Sequence, residues 1–173
     1  MIRKEFISNP NLNLQGSSKT RHAVRGIIYQ NSKFLLLYSE RDGDYSFPGG
    51  GVEVGETEHE ALRRELLEEC GAEVLSIGPP IAEIIEFDSS TKADIDLFIR
   101  RNVYFSCRIS NKYMEPCLMP YEKSKQCVPI WIEPHKALAA NEMILQNPVS
   151  VSPRWTKRET FILNELKNKS IFY

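Results

Sequence analysis

The stretch from Thr57 to Gly71 holds five glutamates, four of them at spacings that let them act together. At about 100° per residue, with Glu65 set at zero, Glu58 falls near about 20°, Glu69 near about 40° and Glu68 near about −60°. Leu62, Leu66 and Cys70 take the apolar side, between about 60° and 140°. Ala61, at about −40°, is the small side chain inside the acidic arc, so something is expected to approach the backbone there. Like charges three and four residues apart cost an exposed helix about 0.2–0.5 kcal/mol per pair, so this face opposes the helix unless a cation is held on it. Mg2+ is the natural candidate, with Mn2+ as a substitute, because it prefers carboxylate oxygens, keeps several waters and completes its shell with substrate phosphates. A solvated acidic face helped by the N-terminal helix dipole is the plain alternative. The preceding Pro48-Gly49-Gly50-Gly51 favours a ligand, since backbone without side chains lets an ion or anion reach a carbonyl or amide.

These residues need a helix, a loop and strands to hold them. Thr57 followed by Glu60 makes a capping box, and Gly71 is a left-handed stop, so a helix is expected between them. Residues 23–29 and 33–38 are rich in strand formers, with Gln30-Asn31-Ser32 as a hairpin turn. A turn at 41–44 and a short strand at 45–47 lead into the glycine loop. Strands are expected over 73–77, 81–87 and 95–109, with a polar connection at 88–94, a polar loop at 110–126 and a strand at 128–132. An amphipathic helix over 154–167 puts Trp155, Ile162 and Leu166 on one stripe. Residues 1–20 carry no period and read as an arm or a loosely attached strand, leaving 21–173 as one domain.

The 173 residues suit a single core, and 22 basic against 23 acidic residues give a net charge of −1. That balance argues against a nucleic-acid or anionic-membrane binder, which needs an excess of cations. The longest apolar runs fall far short of the roughly 20 residues of a membrane span, and Met1–Glu5 is not followed by the apolar stretch of a secretory signal. A cytoplasmic protein is expected. Cys70, Cys107, Cys117 and Cys127 form no C-x-x-C pair, and the three histidines lack zinc-ligand spacing, so the thiols are expected to be reduced and partly buried.

The string Gly50-x5-Glu56-x7-Arg64-Glu65-Leu66-x-Glu68-Glu69-x-Gly71-Ala72 resembles the Nudix box, with all seven fixed letters in place. At average residue usage a chance match is on the order of one in a million or rarer. Ala72 departs only in size from the bulky aliphatic of the last position. The strand before the box, the Phe-Pro-Gly-Gly approach and the late Trp131 extend the resemblance to residues 20–167. It implies an α/β/α sandwich around a mixed sheet and hydrolysis of a nucleoside diphosphate linked to another moiety. Position by position, it implies Glu65, Glu69 and Glu68 as metal ligands, the Gly49 carbonyl as a further ligand, and Glu56 with Arg64 as a pair bracing loop against helix.

Such chemistry requires a cation to neutralise the diphosphate and activate a water, and a carboxylate to take the proton. In the family that base is a box glutamate, here Glu68 or Glu69, or a carboxylate on a later loop, here Glu115 or Glu122; Glu122 is preferred. A (d)NTP, intact or oxidised, giving the monophosphate and pyrophosphate is the favoured substrate, because the marker residues of other subfamilies are missing: Asp88 stands where the ADP-ribose type has proline, and Ser89 and Ser90 where the dinucleoside-polyphosphate type has tyrosine. Tyr29, Tyr45, Phe87, Phe98, Tyr104 and Trp131 are candidates for base stacking, and Arg25, Arg41, Arg100 and Arg101 for gripping phosphate, although core and surface roles compete for each. The alternative function is a nucleotide-binding or regulatory module without turnover, which would not need three intact box carboxylates. A homodimer is compatible with the sequence.

Overall fold

The run Phe34-Leu35-Leu36-Leu37 has no polar face, which a strand tolerates only when both its faces are covered. In the computed structural model, which describes residues 1–92, 94–113, 127–147 and 154–169, this run is that kind of strand. Leu35 and Leu37 join a core with Leu62 and Leu66, whereas Phe34 and Leu36 join a second core with Leu138, Ile162 and Leu163. The same alternation sends Val103 and Phe105 to the first core and Tyr104 to the second.

The elements are β1 (Ile2–Ile7), β2 (Ser18–Ile27), β3 (Tyr29–Gln30), β4 (Lys33–Ser39), β5 (Tyr45–Ser46), α1 (Glu58–Cys70), β6 (Ala72–Ser89), β7 (Leu97–Tyr113), β8 (Cys127–Ile132), α2 (Pro134–Gln146) and α3 (Arg154–Asn168). Helix α1 covers one side of the strands, and α2 and α3 the other, giving an α/β/α sandwich. The strands form two sheets. One is mixed, in the order β1-β6-β7-β2, with β1 parallel to β6 and β2 parallel to β7. In the other, β4 pairs antiparallel with β3, β5 and β8. No helix among the described residues is long and apolar enough to cross a membrane.

Helix α1 has the ends its sequence predicts. The Thr57 side chain accepts the Glu60 N–H, the Glu60 carboxylate accepts the Thr57 N–H at 2.8 Å, and Gly71 ends the helix at φ 62°, donating to the Leu67 carbonyl at 2.9 Å. A Cβ is strained at that φ, so Gly71→Val is expected to cost about 1 kcal/mol or more in denaturant unfolding. An unchanged midpoint would show that the cap contributes nothing.

Two elements differ from expectation, and a third takes one of two expected forms. The expected hairpin of 23–29 with 33–38 is confined to Tyr29–Gln30, which turns back on β4 through Asn31 and Ser32, both at positive φ; β2 itself lies beside β7. Residues 1–20, expected as an arm or a loosely attached strand, include an edge strand: β1 lies along β6 with Ile2 buried and Phe6 edge-on to Phe161 at 5.8 Å, and Ser18 to Thr20 begin β2. The Arg3-Lys4-Glu5 charges that conceal β1 suit an edge strand, where they discourage further pairing. Helix α2 carries only one signal in the sequence, Pro134 at its first position. Glu133 makes no side-chain cap bond, and exposed Met143 and Leu145 blur the pattern set by buried Ala137 and Leu138.

Candidate active site

The glycine loop is tied to β2 by its backbone. Val24 N–H donates to the Gly50 carbonyl at 2.9 Å, Gly26 N–H to Pro48 at 2.8 Å, and Val52 N–H to His22 at 3.0 Å. On its other side the loop meets α1. A Cβ on Gly50 would sit 2.2 Å from Glu65 Oε1, so only glycine lets the loop and that carboxylate share the space. Gly49 N–H donates to Glu69 Oε2 at 2.7 Å. The loop is thus clamped between a strand and the carboxylates of a helix. Ala61, expected to leave room for an approaching group, is instead wholly buried in the first core, so its small size serves packing.

One guanidinium organises the acidic side of α1. Arg64 holds Glu56 in a two-pronged pair, with Nε to Oε1 at 2.9 Å and Nη2 to Oε2 at 3.0 Å. Its Nη2 also donates to the Gly51 carbonyl at 3.0 Å, and its Nη1 to Glu65 Oε1 at 2.8 Å and Glu68 Oε2 at 3.3 Å. An arginine is well suited to this, because its planar fork can serve several oxygens at once and never loses its charge. The Arg64 hydrogen bonds hold Glu56 below the usual carboxylate range. Glu65 is 4% exposed, and burial pushes its carboxyl up, a rise that Arg64 opposes and Glu68 reinforces. Glu58, placed in the same arc by the helical wheel, turns elsewhere and pairs with Arg101 at 2.9 Å and His22 at 2.8 Å.

Gly49, Gly50, Glu65 and Glu69 border a cavity of about 470 Å³. Arg21, Arg25 and Arg100 border it too, so the phosphate-gripping candidates divide: Arg25 and Arg100 face the cavity, Arg100 while paired with Asp88, whereas Arg41 pairs with Asp42 and Arg101 with Glu58 and Glu83, both away from the cavity. None of the six aromatic candidates lines it; Trp155 does, at the start of α3. The Trp155 indole bonds to the buried Asp44 carboxylate, which also accepts from Thr156 Oγ1 at 2.6 Å, and burial pushes Asp44 above its usual range. Trp155 falls on the same helical stripe as buried Ile162 and Leu166, so its place on the cavity carries no signal in the sequence.

One wall of the cavity is part of a buried ionic network that no motif in the sequence signals. Arg158 on α3 donates to Glu86 at 2.5 Å, to Glu159 at 2.7 Å and to the Tyr104 hydroxyl at 2.9 Å. Asn102 donates to the same Glu86 oxygen at 3.1 Å, and Glu159 accepts the Phe47 N–H at 3.3 Å, just ahead of the glycine loop. Helix α3 therefore fixes one end of the loop, and α1 holds its middle.

Among the described residues no three His, Cys, Asp or Glu side chains converge as a ready-made cation cage. The oxygen donors on the cavity include the carboxylates of Glu65 and Glu69 and the backbone of the glycine loop; the Glu86 and Asp44 carboxylates, which also line it, are engaged by Arg158 and Thr156. Glu68 borders an adjoining recess with Arg64 and Glu65. Glu115 and Glu122 lie outside the described residues, as does Cys117, while Cys70 and Cys107 are buried free thiols.

Comparison with known proteins agrees with this geometry. The ADP-ribose pyrophosphatase of Methanocaldococcus jannaschii is 46% identical over 52 residues, 28% of this chain and 31% of that protein. Nucleoside triphosphatase NudI of Enterobacter sp. strain 638 is 40% identical over 68 residues, 35% of this chain and 48% of that protein. The matched stretches span less than half the length of either relative. The solution structure of the E. coli ORF135 protein aligns with a TM-score of 0.53 at 20% identity, covering 88% of this chain and 94% of that one, a likeness of fold. The NUDIX domain profile matches residues 19–149, a stretch that takes in the glycine loop, α1 and most of the strands. With the box complete and its loop and helix clamped together, the chain belongs to the Nudix family.

Proposed function

We propose that the protein hydrolyses a diphosphate linkage in a nucleoside diphosphate derivative, with a (d)NTP as the preferred substrate, in a reaction that depends on Mg2+ or Mn2+. The observation that carries this reading is the meeting, on one cavity, of the box carboxylates Glu65 and Glu69 with the glycine loop and three arginines. The two relatives are named for ADP-ribose and for nucleoside triphosphates, both of which contain a phosphoanhydride.

The donors fit a hard divalent ion. Glu65, Glu69 and the Gly49 carbonyl are all oxygen ligands, and Mg2+ needs few protein ligands because it retains water and takes up substrate phosphate. Glu68, held by Arg64 beside Glu65, is a further ligand or the proton acceptor. When bound, the ion supplies charge neutralisation of the diphosphate and a lowered pKa for an attacking water. The protein's own groups do the rest. Arg64 keeps Glu56, Glu65 and Glu68 in fixed positions, Arg21 and Arg100 attract the polyphosphate, and Trp155, anchored by Asp44, offers an aromatic surface to the base. Glu122 is the proposed general base, with Glu68 in the box as the competing one.

The test is a hydrolysis screen over nucleoside di- and triphosphates, ADP-ribose, dinucleotides and coenzyme A with Mg2+ or Mn2+. A nucleoside monophosphate and pyrophosphate are expected from a (d)NTP. Release of no product from any diphosphate compound with metal present would overturn the reading in favour of a binding module. Glu122→Gln is expected to slow turnover with little change in KM and to remove the acidic limb of the pH–rate profile. An unchanged profile, together with an inactive Glu68→Gln, would move the base into the box.

A further inference from the structure

Strand β2 presents a charged side chain to the glycine loop. Arg25 Nη1 donates to the Gly49 carbonyl, and the guanidinium is near enough to Glu65 for its charge to act there. Its Nε is cut off from solvent and has no hydrogen-bond partner among the described residues, the one buried side-chain nitrogen or oxygen of which that is true. Leaving a buried donor unpaired is unfavourable, and native structures avoid it unless the group has another use. Arg25 is therefore a permanent cation seated on a loop carbonyl, beside a carboxylate, with part of its fork unused.

We propose that Arg25 is the stand-in cation of the metal-free site: it occupies the Gly49 carbonyl that the divalent ion requires, and it yields that carbonyl to the ion and passes its fork to the substrate's phosphate. This rests on the reading of the site given under the proposed function. One carbonyl oxygen cannot be shared closely by two cations, and arginine cannot relieve the conflict by losing its proton. The guanidinium must move as the ion enters. The destination is set by the same chemistry, because a phosphate offers paired oxygens that match the Nε–Nη edge and satisfy the donor left unpaired in the metal-free form. The exchange makes metal and substrate assist one another, since each favours the arrangement in which Arg25 has left Gly49.

A plain bracing role for Arg25 predicts the opposite sign. If the bond to Gly49 merely held the loop in shape, its loss would loosen the donors and weaken metal binding. If Arg25 is a competitor, its loss tightens metal binding. With the carbonyl held by Arg25 about 90% of the time, removal gives about a tenfold gain, because apparent affinity scales with the competent fraction.

The experiment titrates Mn2+ alone into full-length wild type, Arg25→Met and Arg25→Lys, following free Mn2+ by electron paramagnetic resonance, with Glu69→Gln to show that the signal reads this site. The expected result is tighter Mn2+ binding in Arg25→Met, a smaller gain in Arg25→Lys, and weakened binding in Glu69→Gln. Circular dichroism reports whether Arg25→Met folds; if it does not, the gain in Arg25→Lys decides. In steady-state kinetics the KM of the hydrolysed nucleotide should rise in Arg25→Met although the metal is held more tightly. Equal or weaker Mn2+ binding in the folded variants, or no Mn2+ binding in wild type and variants alike, overturns the inference. The titration needs no substrate, so a wild type that hydrolyses nothing while Arg25→Met still gains affinity would remove the proposed function and leave the exchange standing.

Discussion

Replacing Glu69 by glutamine is expected to lower Mg2+-dependent turnover by at least about a hundredfold, the scale on which a single preorganised charge contact matters in a transition state. Glutamine has the same shape and retains an oxygen for the Gly49 N–H, which Glu69 accepts at 2.7 Å, so the loop stays clamped to α1. What disappears is a negative charge on the cavity. Unfolding without metal should therefore change little, by about 1 kcal/mol or less, since a hydrogen bond to a neutral acceptor replaces one to a charged acceptor. Relief of like-charge repulsion adds little to this, because Arg64 already pairs with both Glu65 and Glu68. The measurements are initial rates at saturating Mg2+ and a thermal melt in chelator. Turnover near the wild-type rate in a folded Glu69→Gln protein would exclude that carboxylate from the chemistry.

The local parts of this site were legible in the sequence. Thr57, Glu60 and Gly71 act through bonds closed within one turn of the helix, so their types and spacing suffice to place α1. The wheel correctly assigned Leu62, Leu66 and Cys70 to the core, where all three are buried. It failed for Glu58 and Ala61 because a wheel knows direction and not neighbours: Glu58 lies within reach of Arg101, which arrives from β7, forty-three positions away. The place of Trp155 at the cavity was missed for the same reason. Its stripe is apolar, but at the start of α3 that stripe runs past the sheet to the cavity, where Asp44 from another part of the chain takes its indole. The loop's tie to β2 depends on backbone bonds from Val24 and Gly26, whose side chains carry no signal of it. Helix α2 stayed hidden, and strand β1 was left as one alternative to an arm, because their stabilisation is tertiary. Neither has a clean period or a strong cap, and each is held by what it packs against.

Arg158→Met is expected to destabilise the fold by about 3–5 kcal/mol, the range for removing one partner of a buried ion pair. Arg158 lies between Glu86 and Glu159, and all three are nearly inaccessible to solvent. Methionine fills much of the volume but leaves two buried carboxylates facing one another's charge without a cation, with Asn102 serving Glu86 and Tyr104 serving Glu159 as neutral donors. The penalty thus belongs to the stranded charges more than to the lost attraction. Removing one charge should restore part of the loss, so Arg158→Met combined with Glu159→Gln should be more stable than Arg158→Met alone, a non-additivity readable in a double-mutant cycle by urea unfolding. The same network ties α3 to the loop, because Glu159 accepts the Phe47 N–H one residue before Pro48. Glutamine at 159 keeps an oxygen for that N–H, so a folded double variant should hold the loop, whereas Glu159→Leu, which has no acceptor, should lose activity because the loop that presents Gly49 and Gly50 to Glu65 and Glu69 is released at its leading end. A loss of less than about 1 kcal/mol in Arg158→Met, the size of an exposed pair, would mean that water reaches these carboxylates and that α3 does not hold the loop through charge.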